Sequence, residues 1–160
     1  MGAGSDLVSY FRKLVNQHVK LNGNFHRLNV EELLAGKPKG VSKYPYLSLE
    51  RAEFSFRNQS GVLQKKRTIA FCVVDQKGRT ATEEDEQELL DGCEDIVDDI
   101  IRMVRQHVQE GFSASIAAID LDTISAVQLP FSGTTGEVGF RAVFDVTQIF
   151  NSNTNIQNWK

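Results

Sequence analysis

Lys65-Lys-Arg-Thr-Ile-Ala-Phe-Cys-Val-Val-Asp75 changes character halfway along. Three consecutive cations are followed, after one threonine, by six consecutive apolar residues. The apolar run has the length of a strand and is rich in β-branched and aromatic side chains. It leaves no alternate position polar, which is the pattern of a strand covered on both faces, so 69–74 predicts the centre of a sheet. Lys65, Lys66 and Arg67 are too polar to be buried. On the same strand, expected over 62–75, they are predicted to project beyond the body with little contact to the core.

The neighbours follow from that strand. Upstream, 46–56 reads as its partner. Leu47 and Leu49 share one parity while Phe54 and Phe56 take the other, which predicts a bulge or break near Arg51-Ala52. Asn58–Gly61 is the turn between the two. Downstream, Thr82 with Asp85 opens a helix expected over 83–109. Its stripe is Leu89, Leu90, Cys93, Ile96, Val97, Ile100, Ile101, Val104 and Val108, ending at Gly111. Glu83–Glu86 in its first turn complement the positive end of the helix dipole, and Arg102 and Arg105 the negative end.

Near the start, Ser5 reads as an N-cap, and Leu7, Val8, Phe11, Leu14, Val15, His18 and Val19 predict a helix over 6–21 that closes near Asn22-Gly23. Phe25–Leu28 is a short strand, and Asn29 with Glu32 starts one or two helical turns ended by Gly36. Residues 112–121 have no clear pattern. A strand over 123–129 is stopped by Pro130, and 138–149 alternates cleanly, so these two form a hairpin. The fold class is therefore α/β (α+β) and two-layer. A mainly antiparallel sheet is expected to be covered by the two long amphipathic helices, because their apolar stripes need a common surface. Residues 1–150 read as one domain and 151–160 as a polar arm with an apolar anchor at Trp159.

The 160 residues are 41% apolar and 24% charged, with a formal net charge of -3, which suits one ordinary core and excludes a disordered chain. No apolar run is long enough for a membrane helix, and the first residues carry no signal peptide. Cys72 and Cys93 do not make a disulfide framework and read as reduced core residues of a protein made in a cytoplasm. The charge is polarised. From Lys37 to Arg79 ten cations face three carboxylates, whereas Thr80 to Ile101 holds ten carboxylates and no cation. Glu84, Glu88, Asp91, Asp95 and Asp98 fall off the apolar stripe and are expected to meet a basic surface of a neighbouring copy or partner.

Catalytic chemistry finds little to work with. His18, His26 and His107 lie apart, without metal-ligand spacing to Cys or carboxylates. Asp120-Leu-Asp122 lacks the further ligands of a calcium loop. No nucleophile elbow exists, and acids on a solvent face keep their ordinary pKa rather than splitting into acid and base. The chain therefore reads as a non-enzyme without metal or cofactor. Lys65–Arg67, with Lys37, Lys39 and Lys43 near and Tyr44 and Tyr46 as stacking partners, leave open a nucleic-acid-binding adaptor.

At Tyr44-Pro45-Tyr46-Leu47-Ser48-Leu49-Glu50, Phe71-Cys72-Val73-Val74-Asp75 and Gly139-Phe140-Arg141-Ala142-Val143-Phe144, the chain resembles the tail-terminator and tail-completion proteins of tailed bacteriophages. The order matches too, from roughly Leu7 to Ile149. An opening helix, a Tyr-Pro strand, an aliphatic strand ending in Asp, an acid-capped long helix and a closing strand opened by Gly-aromatic succeed one another. The resemblance implies a structural virion protein, assembled in the bacterial host cytoplasm. It would form a ring at the head-tail junction or the head-proximal end of the tail. Six copies are usual in that family, and twelve occur in neck rings. The implied partners are further copies of the chain, tail-tube or portal-connector proteins, and DNA in the lumen, with no membrane. A phage-tail-like contractile injection system is the same implication in another setting. Lys65, Lys66, Arg67, Glu84, Glu88, Asp91, Asp95, Asp98 and Trp159 are the interface candidates.

Overall fold

The computed structural model describes residues 3–35, 40–131 and 136–150 of the chain. It is a mixed α/β structure with a six-stranded sheet. The order along the chain is α1 (Ala3–Gln17), β1 (Phe25–His26), α2 (Val30–Leu34), β2 (Tyr46–Leu49), β3 (Glu53–Gln59), β4 (Val62–Gln76), α3 (Glu83–Glu110), α4 (Ala114–Ala117), β5 (Ile119–Gln128) and β6 (Glu137–Ile149). The sheet runs β1-β2-β4-β6-β5, and β3 pairs with the first half of β4. Every pairing is antiparallel except β1 with β2.

β4 organises the molecule. Its residues 69–74 are all buried, and their alternate side chains enter two different cores. Ile69, Phe71 and Val73 join Leu47, Leu49, Ala142, Phe144 and Val146 in the larger cluster, with Leu7, Phe11 and Val15 of α1 and Cys93, Ile96, Ile100 and Val104 of α3. Cys72 and Val74 point the other way, into a smaller cluster with Leu33 of α2, Val41, Tyr46 and Leu129. The reverse face of the sheet is thus partly covered as well, by α2 and the segments around Val41 and Leu129. That cover is more than two layers provide.

Three local expectations shift. α1 stops at Gln17 rather than 21, because Asn22 and Gly23 adopt positive φ and the turn that they close brings Leu21 inside. Val19, expected on the apolar stripe, is 91% exposed, and Ser5 lies within the helix instead of capping it. The 46–56 strand is split at 50–52, where the parity change placed the break. β5 begins at Ile119, so Asp120-Leu-Asp122 lies in a strand instead of a loop, after the short α4 in the stretch that had no pattern. The capping box of α3 is formed: Thr82 Oγ1 accepts from the Asp85 N–H and the Asp85 carboxylate from the Thr82 N–H. Gly111 closes that helix in the left-handed conformation, which costs glycine little.

Candidate assembly surfaces

The β3–β4 turn is a two-residue one at Ser60-Gly61, both at positive φ, the geometry that matches the twist of a hairpin. Beyond residue 68 the strand has neighbours on both sides. β3 pairs with it from Thr68 to Val62 on one edge, and β6 continues alongside to Ile149 on the other. The projecting hairpin expected from sequence is therefore a three-stranded ribbon. Every residue of β3 is exposed.

Cross-strand partners share a face of a sheet, so the register sorts the ribbon's side chains. Phe54 faces Arg67 and Phe56 faces Lys65, and they lie on the same face as Ile69 and Phe71 further along β4. Lys66 and Thr68 lie on the other face. The basic triplet does not stand free. The Lys65 ammonium sits 4.1 Å from the ring centre of Phe54 and 5.5 Å from that of Phe56. Lys66 pairs with Asp145 at 2.9 Å, and Arg67 donates to the Gln148 side chain at 3.2 Å. A strand that emerges between two others meets side chains on both flanks, which the sequence of one strand does not reveal. Phe56 also meets Phe150, with ring centres 4.9 Å apart. One face of the ribbon thus carries aromatics with Lys65 and Arg67. The other carries a self-compensated set in which Lys66 and Thr68 both bind Asp145.

The acidic candidates Glu84, Glu88, Asp91, Asp95 and Asp98 are all exposed and recur every three or four residues, so they form one stripe on α3. Their partners are local: Gln87 donates to Asp91, and Arg102 reaches Asp98 at 3.5 Å and Asp99 at 2.9 Å. Among the described residues, Lys77 to Glu86 at 2.8 Å is the one ion pair joining the basic and acidic segments. The reason is direction. α3 starts at the Gln76 end of β4 and runs back along the sheet; the chain then reaches Ile119, which pairs with Val146 beside Arg67. A strand of this length spans about 50 Å. The acid-rich start of α3 and the tip of the ribbon therefore lie at opposite ends of the molecule.

Tyr44 and Tyr46, the aromatics expected to interleave with the cations, are engaged elsewhere. Tyr46 is buried, and the Tyr44 hydroxyl donates to Glu137 at 2.6 Å, with burial pushing both phenols up. Phe54 and Phe56 take the place beside the lysine instead. Lys37, Lys39 and Trp159 lie outside the described residues. A further group had no signal in the sequence. Arg141 makes a bidentate pair with Glu50, 2.7 and 2.8 Å, across 91 positions, and the Cys72 thiol lies 3.7 Å from the same carboxylate. That pair ties the end of β2 to β6 (the burial of Glu50 makes it structural).

The histidines remain apart: His18 meets Asp99 at 3.3 Å, His107 meets the Tyr10 hydroxyl at 2.8 Å, and His26 packs on Tyr46. Both cysteines are free and buried, and burial pushes the Cys93 thiol up to about 12. Among the described residues, no three His, Cys, Asp or Glu side chains gather where they would hold a metal ion, and no helix is long and apolar enough to cross a membrane. Comparison with protein-family models, with curated proteins and with solved structures finds no match to this chain.

Proposed function

We propose that this chain is a structural subunit that associates head to tail and closes into a ring, in the manner of tail-terminator or neck proteins of tailed bacteriophages. The observation that carries the proposal is the separation of charge. The exposed acidic stripe begins at one end of the molecule, the cationic ribbon reaches out from the other, and Lys77–Glu86 is their sole ion pair among the described residues. Such a subunit cannot satisfy its charge by folding on itself. A second copy satisfies it at both ends, and two unlike patches meeting in this way generate rings when the rotation closes.

In this reading the two long helices act as a single layer over one face of the sheet, as the resemblance implies. The chain works through surfaces rather than through catalysis or a bound cofactor. Its partners are other copies, then tail-tube or portal-connector proteins and DNA in the lumen, within a virion or a related injection system. Exposed ion pairs contribute at most about 1 kcal/mol each, so assembly depends on a wide array and weakens with salt.

Reversing Asp91, Asp95 and Asp98 to Lys tests this. The positions are exposed, so the fold should survive. Sedimentation velocity at low and moderate salt should show the parent as a closed oligomer and the variant as a monomer. Assembly of the variant equal to the parent's at both salt concentrations would reduce the acidic stripe to a solubilising surface.

A further inference from the structure

The ribbon face and the opposite end of the molecule fit one another in more than charge. Phe54 is 58% exposed and Phe56 48%, and the Lys65 ammonium rests over both rings with no carboxylate partner among the described residues. The three side chains make a preformed knob, apolar at its sides and cationic at its centre. At the far end, where β4 passes into α3, a groove of about 500 Å³ is lined by Gly78, Ala81, Leu89, Asp85 and Glu88, together with uncharged polar residues. It holds two carboxylates and no cation. Asp85 is occupied by its capping bonds, whereas Glu88 has no partner among the described residues.

We propose that the Phe54–Lys65–Phe56 knob of one copy seats in the α3-entry groove of a second copy. Lys65 pairs there with Glu88, and the rings pack against Leu89 and Ala81. This rests on the head-to-tail assembly proposed above and names its contact. Knob and groove lie at opposite ends of one chain, so the contact cannot form within a copy. Each copy offers one of each, so every subunit is engaged at both ends. Lys65 is already held over the rings, which reduces the ordering cost of docking. A single strand of nucleic acid is the other occupant that an aromatic-cation face suits. It draws its affinity from a run of phosphate contacts, and this face offers only Lys65 and Arg67 while the acidic stripe repels phosphate.

The test uses the full chain in sedimentation equilibrium, with circular dichroism to establish folding. Lys65→Glu and Glu88→Lys are compared alone and combined, and Phe54→Ser/Phe56→Ser is measured alongside. Each single reversal and the aromatic variant should weaken association by about thirtyfold, the loss usual for a buried anchor. Lys65→Glu/Glu88→Lys in one chain should recover most of it, because the pair is restored with its signs exchanged. If the parent assembles and these variants assemble equally well, or the combined variant is folded and does not recover, the contact is wrong and the head-to-tail reading stands. A parent that stays monomeric at every concentration overturns both. Binding of a labelled deoxythymidine oligomer that is lost in the aromatic variant would assign the face to nucleic acid and overturn the contact.

Discussion

The two halves of β4 are one continuous strand, paired with β6 along its whole length, yet they answer to different physics. In 69–74 every side chain is buried, with one set against α1 and α3 and the alternate set against Leu33, Tyr46 and Leu129. In 62–68 the same backbone geometry carries cations, glutamine and threonine, and its partner β3 is exposed throughout. Hydrogen-bond pairing is equal in the two halves. What differs is apolar burial, so the first half is held by tertiary packing and the second by its ladder and a few side-chain contacts. A region of the second kind adds little to folding and is free to serve a partner.

Substitutions at matched positions should separate the halves most widely. Phe71 is 1% exposed and its ring lies 5.5 Å from that of Phe11, so Phe71→Ala should cost about 4 kcal/mol in urea unfolding. Phe56→Ala, on the same strand pair but half exposed, should cost about 0.5 kcal/mol. Equal losses would mean that the ribbon is part of the core.

The second largest effect lies where β6 crosses the buried half. A Cβ on Gly139 would overlap the Val73 carbonyl oxygen, and backbone cannot move aside as a flexible side chain would. Gly139→Ala should therefore cost about 3 kcal/mol by the same measurement. A neutral result would show that β6 is able to slide away from β4 at that point.

Much of this contrast was legible in the sequence, because the six-residue apolar run and the three cations before it are local signals. The capping residues of α3, the turn at Ser60-Gly61 and the parity break before β3 were legible for the same reason. Val19 was misplaced because helical periodicity continues past Gln17 while the backbone does not. Phe54 and Phe56 were noted for their parity, but their exposure depends on which helix ends where, and that is a tertiary fact. The Glu50–Arg141 pair joins residues 91 positions apart, and nothing in either neighbourhood announces it.

Smaller effects sharpen the picture of the ribbon. Lys65, Lys66 and Arg67 replaced together by Ser should lower stability by at most about 1 kcal/mol, since one partly exposed ion pair and one cation–ring contact are lost. The same variant should fail to assemble. A large drop in melting temperature would place these side chains among the supports of the fold.

The smallest effect sits at the other end of β4 and depends on pH. Burial holds the Asp75 carboxyl above the usual carboxylate range, so the folded chain keeps this proton more readily than the unfolded chain does. Its contribution to stability is full below the unfolded value and is lost as pH rises through the folded one. Asp75→Asn does not ionise, and its side-chain oxygen still accepts from the Gln76 N–H. It should melt slightly above the parent at neutral pH and level with it in acid. A variant that melts below the parent at neutral pH would show that the charged carboxylate is stabilising there.

Hydrogen exchange of the full chain, compared at a concentration where it is monomeric and at one where it is assembled, tests the central claim most directly. In the monomer, amides of 69–74 should exchange only by global unfolding, while those of 53–59 and 62–68 exchange by local opening. On assembly the ribbon and the first turns of α3 should both gain protection, and 69–74 should stay as it was. Ribbon amides as protected as 69–74 in the monomer, or unchanged when the chain assembles, would contradict the division of β4 into a half for folding and a half for association.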